Sequence, residues 1–156
     1  MSAGSPNSGT SPLWETTPTG MRSDWRLDSD FRSVTDMRWW LRTFLGQAWG
    51  LSVGKIEDLV LAACEAANNA VEHAQHPSEP FFDVFTEIDF GVVTIVIHDH
   101  GTWRPLRHPQ DRGRGLAMMH ALADTTVTAS PNGTTVTIRC HPGEPEPLTH
   151  VEACAS

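Results

Sequence analysis

Residues 57–74 read EDLVLAACEAANNAVEHA and leave the chain little choice of local structure. Ile56, Leu59, Val60, Ala63, Ala67, Ala70 and Ala74 recur at the helical period and form one apolar stripe. Glu65, Asn68, Asn69, Glu72 and His73 form the opposite, polar stripe. The alanines favour helix and let it approach a sheet closely. Glu65 and Asn69 are four apart, so their side chains stack one turn along, with His73 one turn further. A carboxylate, an amide and an imidazole on one helix edge suit either a metal–phosphate site or a plain solvated face. The rest of the chain has to decide between them.

Residues 1–20 are rich in Ser, Gly, Pro and Thr and are expected to form a disordered leader. Residues 25–27 are expected to begin an edge strand. Over residues 32–49, Val34, Met37, Leu41, Phe44, Leu45 and Ala48 predict a second amphipathic helix, with Trp40 beside the stripe. Ser33 or Asp30 is placed to cap its start and Gly50 its end. Arg38 and Arg42, four apart on its more exposed face, are either solvated or set for a partner.

Pro77 and Pro80 stop the central helix. Residues 81–88 and 92–98 are rich in β-branched and aromatic types, and Asp89-Phe90-Gly91 between them predicts a hairpin. The run VVTIVI is apolar enough for a central strand. Residues 102–114 predict an irregular loop, and Gly113-Arg114-Gly115 opens a helix over 116–122. Residues 124–129 and 134–140 predict a second hairpin across Asn132-Gly133. From His141 the chain reads as a tail. The expected organisation is therefore a leader (1–20), one domain (21–140) and a tail (141–156). The order of elements predicts an α+β two-layer sandwich, with a mixed, mostly antiparallel sheet and helices packed on one face.

Eleven lysines and arginines against 19 aspartates and glutamates give a formal net charge of −8. That balance lacks the electrostatic footprint of a nucleic-acid binder, although Arg104, Arg107, Arg112 and Arg114 concentrate positive charge in one loop. No apolar run approaches membrane-spanning length, and the N-terminus has no signal-peptide pattern. Cys64, Cys140 and Cys154 show neither paired nor metal-type spacing, so reduced thiols in a cytoplasmic protein are expected.

Two short motifs add to the helix. Asp99-His100-Gly101 puts a carboxylate at the end of a buried strand, a common place for a ligand site or for a plain turn aspartate. Gly113-Arg114-Gly115-Leu116 puts two glycines before a helix, which suits an anion or an ordinary loop-to-helix turn. GxxxxGK[ST] is absent, which excludes a P-loop. Taken in order, E-x-x-x-N on a helix, D-x-G after a strand, G-x-G-L opening a helix and G-T-T-V in a last strand resemble the GHKL (Bergerat-fold) ATPases. The similarity is strongest to the bacterial anti-sigma-factor serine/threonine kinases, and it covers residues 25–140.

The resemblance implies a histidine-kinase-like ATPase fold and a site for ATP and Mg²⁺. Asn69 would hold the Mg²⁺, and Glu65 would be the general base or orient the attacking hydroxyl. Asp99 would accept from the adenine amino group, with Gly101 keeping that pocket open. Gly113, Arg114, Gly115 and Leu116 would cradle the phosphates, and Thr135 would support the adenine end. His73 matches the helix pattern, and Arg38 matches an arginine used for partner contact. The implied partners are a sigma factor, a STAS-type anti-sigma factor antagonist and a second copy of the chain. The family's D-x-G-x-G would place glycine at position 103, where this chain has Trp103, and the loop that follows is short. That departure motivates the alternative of a nucleotide-binding regulatory module without kinase activity.

Overall fold

The computed structural model describes residues 12–75, 79–103, 114–141 and 143. In chain order its elements are β1 (Glu15–Thr17), β2 (Gly20–Asp28), α1 (Phe31–Leu45), α2 (Val53–His73), β3 (Ala74–Gln75), β4 (Phe81–Asp89), β5 (Val92–Asp99), β6 (Thr102–Trp103), α3 (Arg114–Leu122), β7 (Asp124–Ser130) and β8 (Gly133–Cys140). Six strands form one sheet in the order β1-β2-β4-β5-β8-β7, and β3 pairs with β6 in a separate two-stranded sheet. The pairings are antiparallel in both sheets, so the mixed character expected of the sheet does not appear among the described residues.

Side-chain alternation divides the large sheet into two faces. Trp25 and Leu27 of β2, Phe82, Val84 and Ile88 of β4, Val93, Ile95 and Ile97 of β5, and Val136 and Ile138 of β8 are buried in one core. The helices cover that face: α1 packs along α2, and α2 lies against β5, β8 and α3. Met37, Leu41, Phe44 and Leu45 of α1 and Leu59, Ala62, Ala63, Ala66 and Ala67 of α2 are buried beneath. The alanines that mark α2 in the sequence are what let it sit this close. Each large apolar side chain withdrawn this way contributes about 1.5–3 kcal/mol. The other face carries Arg26, Phe81, Asp83, Phe85, Val96, His98 and Thr135, all partly exposed.

Several sequence expectations shift. The stretch read as leader contributes β1 and an aromatic anchor. Trp14 meets Trp40 and Phe44 edge-on, with centroids 6.4 and 5.9 Å away, and Trp40 Nε1 donates to the Pro12 carbonyl at 2.9 Å. The edge is therefore β1, and β2 is flanked on both sides. Asp30 caps α1 by accepting the Ser33 N–H at 2.7 Å. The helix stops at Leu45 with Gly46 as its cap rather than Gly50. Ala48 still reaches the core because turn bonds, Gln47 N–H to Phe44 O and Ala48 N–H to Leu45 O, carry the chain one step further. α2 starts three residues before the first residue of its apolar stripe, since Ser52 Oγ accepts the Lys55 N–H at 3.1 Å.

The β4–β5 turn places both Phe90 (φ 48) and Gly91 (φ 80) in the left-handed region, the two-residue geometry that matches strand twist. In the β7–β8 hairpin Ser130 faces Gly133, so Pro131 and Asn132 make the turn and Gly133 already belongs to the strand.

Candidate functional site

Asp99 is the last residue of β5, and alternation turns it to the helix-covered face behind Val93, Ile95 and Ile97. It is 3% exposed. A carboxylate that deep must have hydrogen-bond donors. Its Oδ1 accepts the Gly101 N–H at 3.1 Å and the Thr134 N–H at 3.1 Å, so the D-x-G turn and the start of β8 converge on one oxygen. Gly133 makes the approach possible. A Cβ there would stand 1.9 Å from the Asp99 carbonyl oxygen, and its φ is +139. Glycine's freedom is required at this position by both contact and conformation.

Thr134 is buried beside Asp99, and its Oγ1 has no hydrogen-bond partner among the described residues. Thr135, expected to support the adenine end, lies on the open face, where its Oγ1 shares a hydrogen bond with His98 Nδ1 at 2.8 Å. This corrects the sequence reading. The signal was present, since strand alternation puts only one of two consecutive threonines on the Asp99 face.

Glu65 and Asn69 sit on α2 at its partly exposed edge, and neither side chain is hydrogen-bonded to another described residue. Arg114, Gly115 and Leu116 form the first turn of α3, and their side chains, like that of His73 at the end of α2, lie outside the described residues. Gly113 and residues 104–112 also lie outside them. The elements that carry the candidate residues all adjoin α2, which touches β5, β8 and α3. The backbone of Trp103 is in β6, paired to Ala74 directly after α2, so the strand following Gly101 is tied to the end of the helix that carries Asn69.

No local pattern announces that pairing, because two-residue strands have no periodicity to detect.

On α1, Arg42 makes a two-pronged ion pair with Glu57 of α2 at 2.7 and 2.9 Å. The hydrogen bond with Glu57 raises the Arg42 pKa, and the same contact lowers that of Glu57. Burial pushes the Cys64 thiol up, and the nearby Arg38 guanidinium partly offsets this. Arg38 thus stands beside Cys64, one residue before Glu65. Trp39 is 66% exposed on the same helix, whereas Trp40 faces the core.

Among the described residues no group of three or more His, Cys, Asp or Glu side chains is arranged to hold a metal ion. Asn69 offers one amide oxygen at a solvent-accessible helix edge. That fits a cation such as Mg²⁺, which takes few protein ligands and completes its shell with phosphate and water. No helix among the described residues is long and apolar enough to cross a membrane.

Residues 27–140 match the histidine kinase-like ATPase domain family, and the chain belongs to it. Membership implies ATP as the ligand. Among solved structures the chain is similar to the RsbU and RsbW domains of Rv1364c from Mycobacterium tuberculosis, with 25% identity and a TM-score of 0.61. That likeness covers 80% of this chain and 34% of the other, so this chain spans about a third of that protein's solved length. It is also similar to the Acinetobacter baumannii histidine kinase AdeS, at 16% identity and a TM-score of 0.47, covering 78% of this chain and 68% of that one. No curated protein matches the sequence.

Proposed function

We propose that the protein is an ATP-binding anti-sigma regulatory factor that phosphorylates a serine or threonine of an anti-sigma factor antagonist and otherwise sequesters a sigma factor, acting as a homodimer. The observation that carries the nucleotide part is the buried Asp99 carboxylate, fixed by two backbone N–H groups, with the unpartnered Thr134 hydroxyl beside it. An amino-bearing base would give the Thr134 hydroxyl a partner and bring Asp99 a further donor. The regulatory part rests on the ordered motif set and on the likeness to a structure containing an RsbW domain.

In this reading Asp99 accepts from the base amino group, and Thr134, rather than Thr135, supports it. Gly101 keeps the D-x-G turn open, and the α3 N-terminus, with Gly113, Arg114, Gly115 and Leu116, receives the phosphates. Asn69 would hold Mg²⁺, which when bound neutralises phosphate charge. Glu65, one helical turn from Asn69, orients the incoming hydroxyl and accepts its proton. His73 continues that edge. Arg38, exposed on α1 and beside Cys64, faces the protein partner.

Phosphate transfer from radiolabelled ATP to a cognate antagonist tests the reading. Glu65→Ala is expected to abolish transfer and keep ATP binding. Full transfer by that variant removes Glu65 from its role. ATP binding by the wild type with no transfer to any antagonist favours the non-kinase module, for which Trp103 at the second glycine position of the pattern is the motive.

A further inference from the structure

The face of the sheet opposite the site is wired at the same strand ends. His98 and Thr135 are register partners on β5 and β8, and their side chains hydrogen-bond at 2.8 Å. The His98 ring also lies against Gly133, with its Cε1 3.1 Å from where a Cβ would stand. One imidazole therefore bonds Thr135 and stands close to Gly133, the residues on both sides of Thr134. The ring is braced in turn: His100 meets it edge-on at 4.9 Å, His100 Nε2 bonds Asp83 Oδ2 at 2.9 Å, and Arg26 Nε donates to Asp83 Oδ1 at 2.8 Å. The chain of contacts crosses β2, β4, β5 and β8.

We infer that His98 and Thr135 are positioning residues that act from behind the sheet, holding Thr134 and Asp99 in the spacing that selects the nucleobase. The inference rests on the nucleotide reading of the Asp99 site. On the inner face Thr134 N–H bonds Asp99; on the outer face His98 bonds Thr135. Two hydrogen bonds, one on each surface, reinforce the end of the β5–β8 backbone ladder where a base is to be read. Loosening the outer one lets β8 drift from Asp99 and blurs discrimination by hydrogen bonds, which depends on fixed geometry. Phosphate contacts, which come from α2 and α3, are left alone.

Calorimetric titration of the full chain with Mg·ATP and Mg·GTP tests this, alongside amide exchange at Thr134. Thr135→Val removes the hydroxyl and suits a strand. It is expected to weaken ATP binding about three- to tenfold, to narrow the ATP-to-GTP preference by a similar factor, and to speed exchange of the Thr134 amide. His98→Leu is expected to do the same. His98→Asn keeps a hydrogen-bonding atom near the Nδ1 position and is expected to restore most of the preference. If wild-type protein binds ATP and Thr135→Val shows the same affinity, preference and exchange, the inference falls and the nucleotide reading stands. If wild-type protein binds neither nucleotide, both fall together.

Discussion

Two places in the sheet bury hydroxyls that have no hydrogen-bond partner among the described residues, and they differ in what lies next to them. Ser23 and Thr86 face each other across β2 and β4, and Thr86 is flanked on β5 by Ile95. Thr134 lies beside the buried carboxylate of Asp99 where β5 ends and β8 begins. An unpartnered hydroxyl among hydrocarbon is a cost that the core carries. An unpartnered hydroxyl beside a carboxylate, at a strand end where glycine lets two backbones meet, is in the proposed reading half of a recognition site. The polar atom is the same, and its neighbours decide whether it marks strain or function.

The comparison can be broken at its strongest point first. Asp99→Ala leaves the Gly101 and Thr134 N–H groups without their acceptor and is expected to cost about 2–5 kcal/mol of stability, measured by urea unfolding. Gly133→Ala forces a methyl group against the Asp99 carbonyl and is expected to cost about 2 kcal/mol or more, with Asp99 no longer held by Thr134.

The matched pair comes next. Thr86→Val is expected to be neutral or to stabilise by about 1 kcal/mol, because it removes an unsatisfied hydroxyl at nearly constant volume. Thr134→Val is expected to leave stability equally unharmed and yet weaken Mg·ATP binding about tenfold. If Thr86→Val weakens ATP binding as much, or Thr134→Val leaves it untouched, the distinction between the two places is gone.

The smallest effect lies on the open face. Burial pushes the Asp83 carboxyl up, but hydrogen bonds from Arg26 and His100 outweigh it, so the group titrates below the ordinary carboxylate range. A lowered folded value means that the pair's contribution is fully present above the unfolded carboxylate value of about 3.9 and is lost as pH falls through the folded value. With both partners partly exposed, Arg26→Ala is expected to cost under about 1 kcal/mol at neutral pH. The difference between variant and wild type should shrink in acid, as thermal melts across pH would show.

Much of this was legible in the sequence. The alanine-rich stripe of α2, the apolar run of β5 and the Asp99-His100-Gly101 turn each carry a local signal that tertiary packing reinforces. The chain before residue 20 was harder to read, because Trp14 and a three-residue strand are stabilised by Trp40 and Phe44 from elsewhere rather than by any pattern of their own. The β3–β6 pairing was likewise invisible. At the site the motif pointed to Thr135, which the strand places on the open face. Family spacing ran along the chain, while the face of a strand is set by alternate residues, and Thr134 is the one in step with Asp99.

The most direct test of the central claim, that Asp99 and Thr134 read the base of a bound nucleotide, is calorimetric titration of wild type and Asp99→Asn with Mg·ATP. Asn keeps an acceptor oxygen for the two backbone N–H groups and replaces the second carboxylate oxygen with an NH2 donor, which cannot accept from an amino group. The account predicts saturable binding by wild type and a loss of at least about tenfold in the folded variant. Equal affinity in the two proteins, or no binding by wild type, would contradict it.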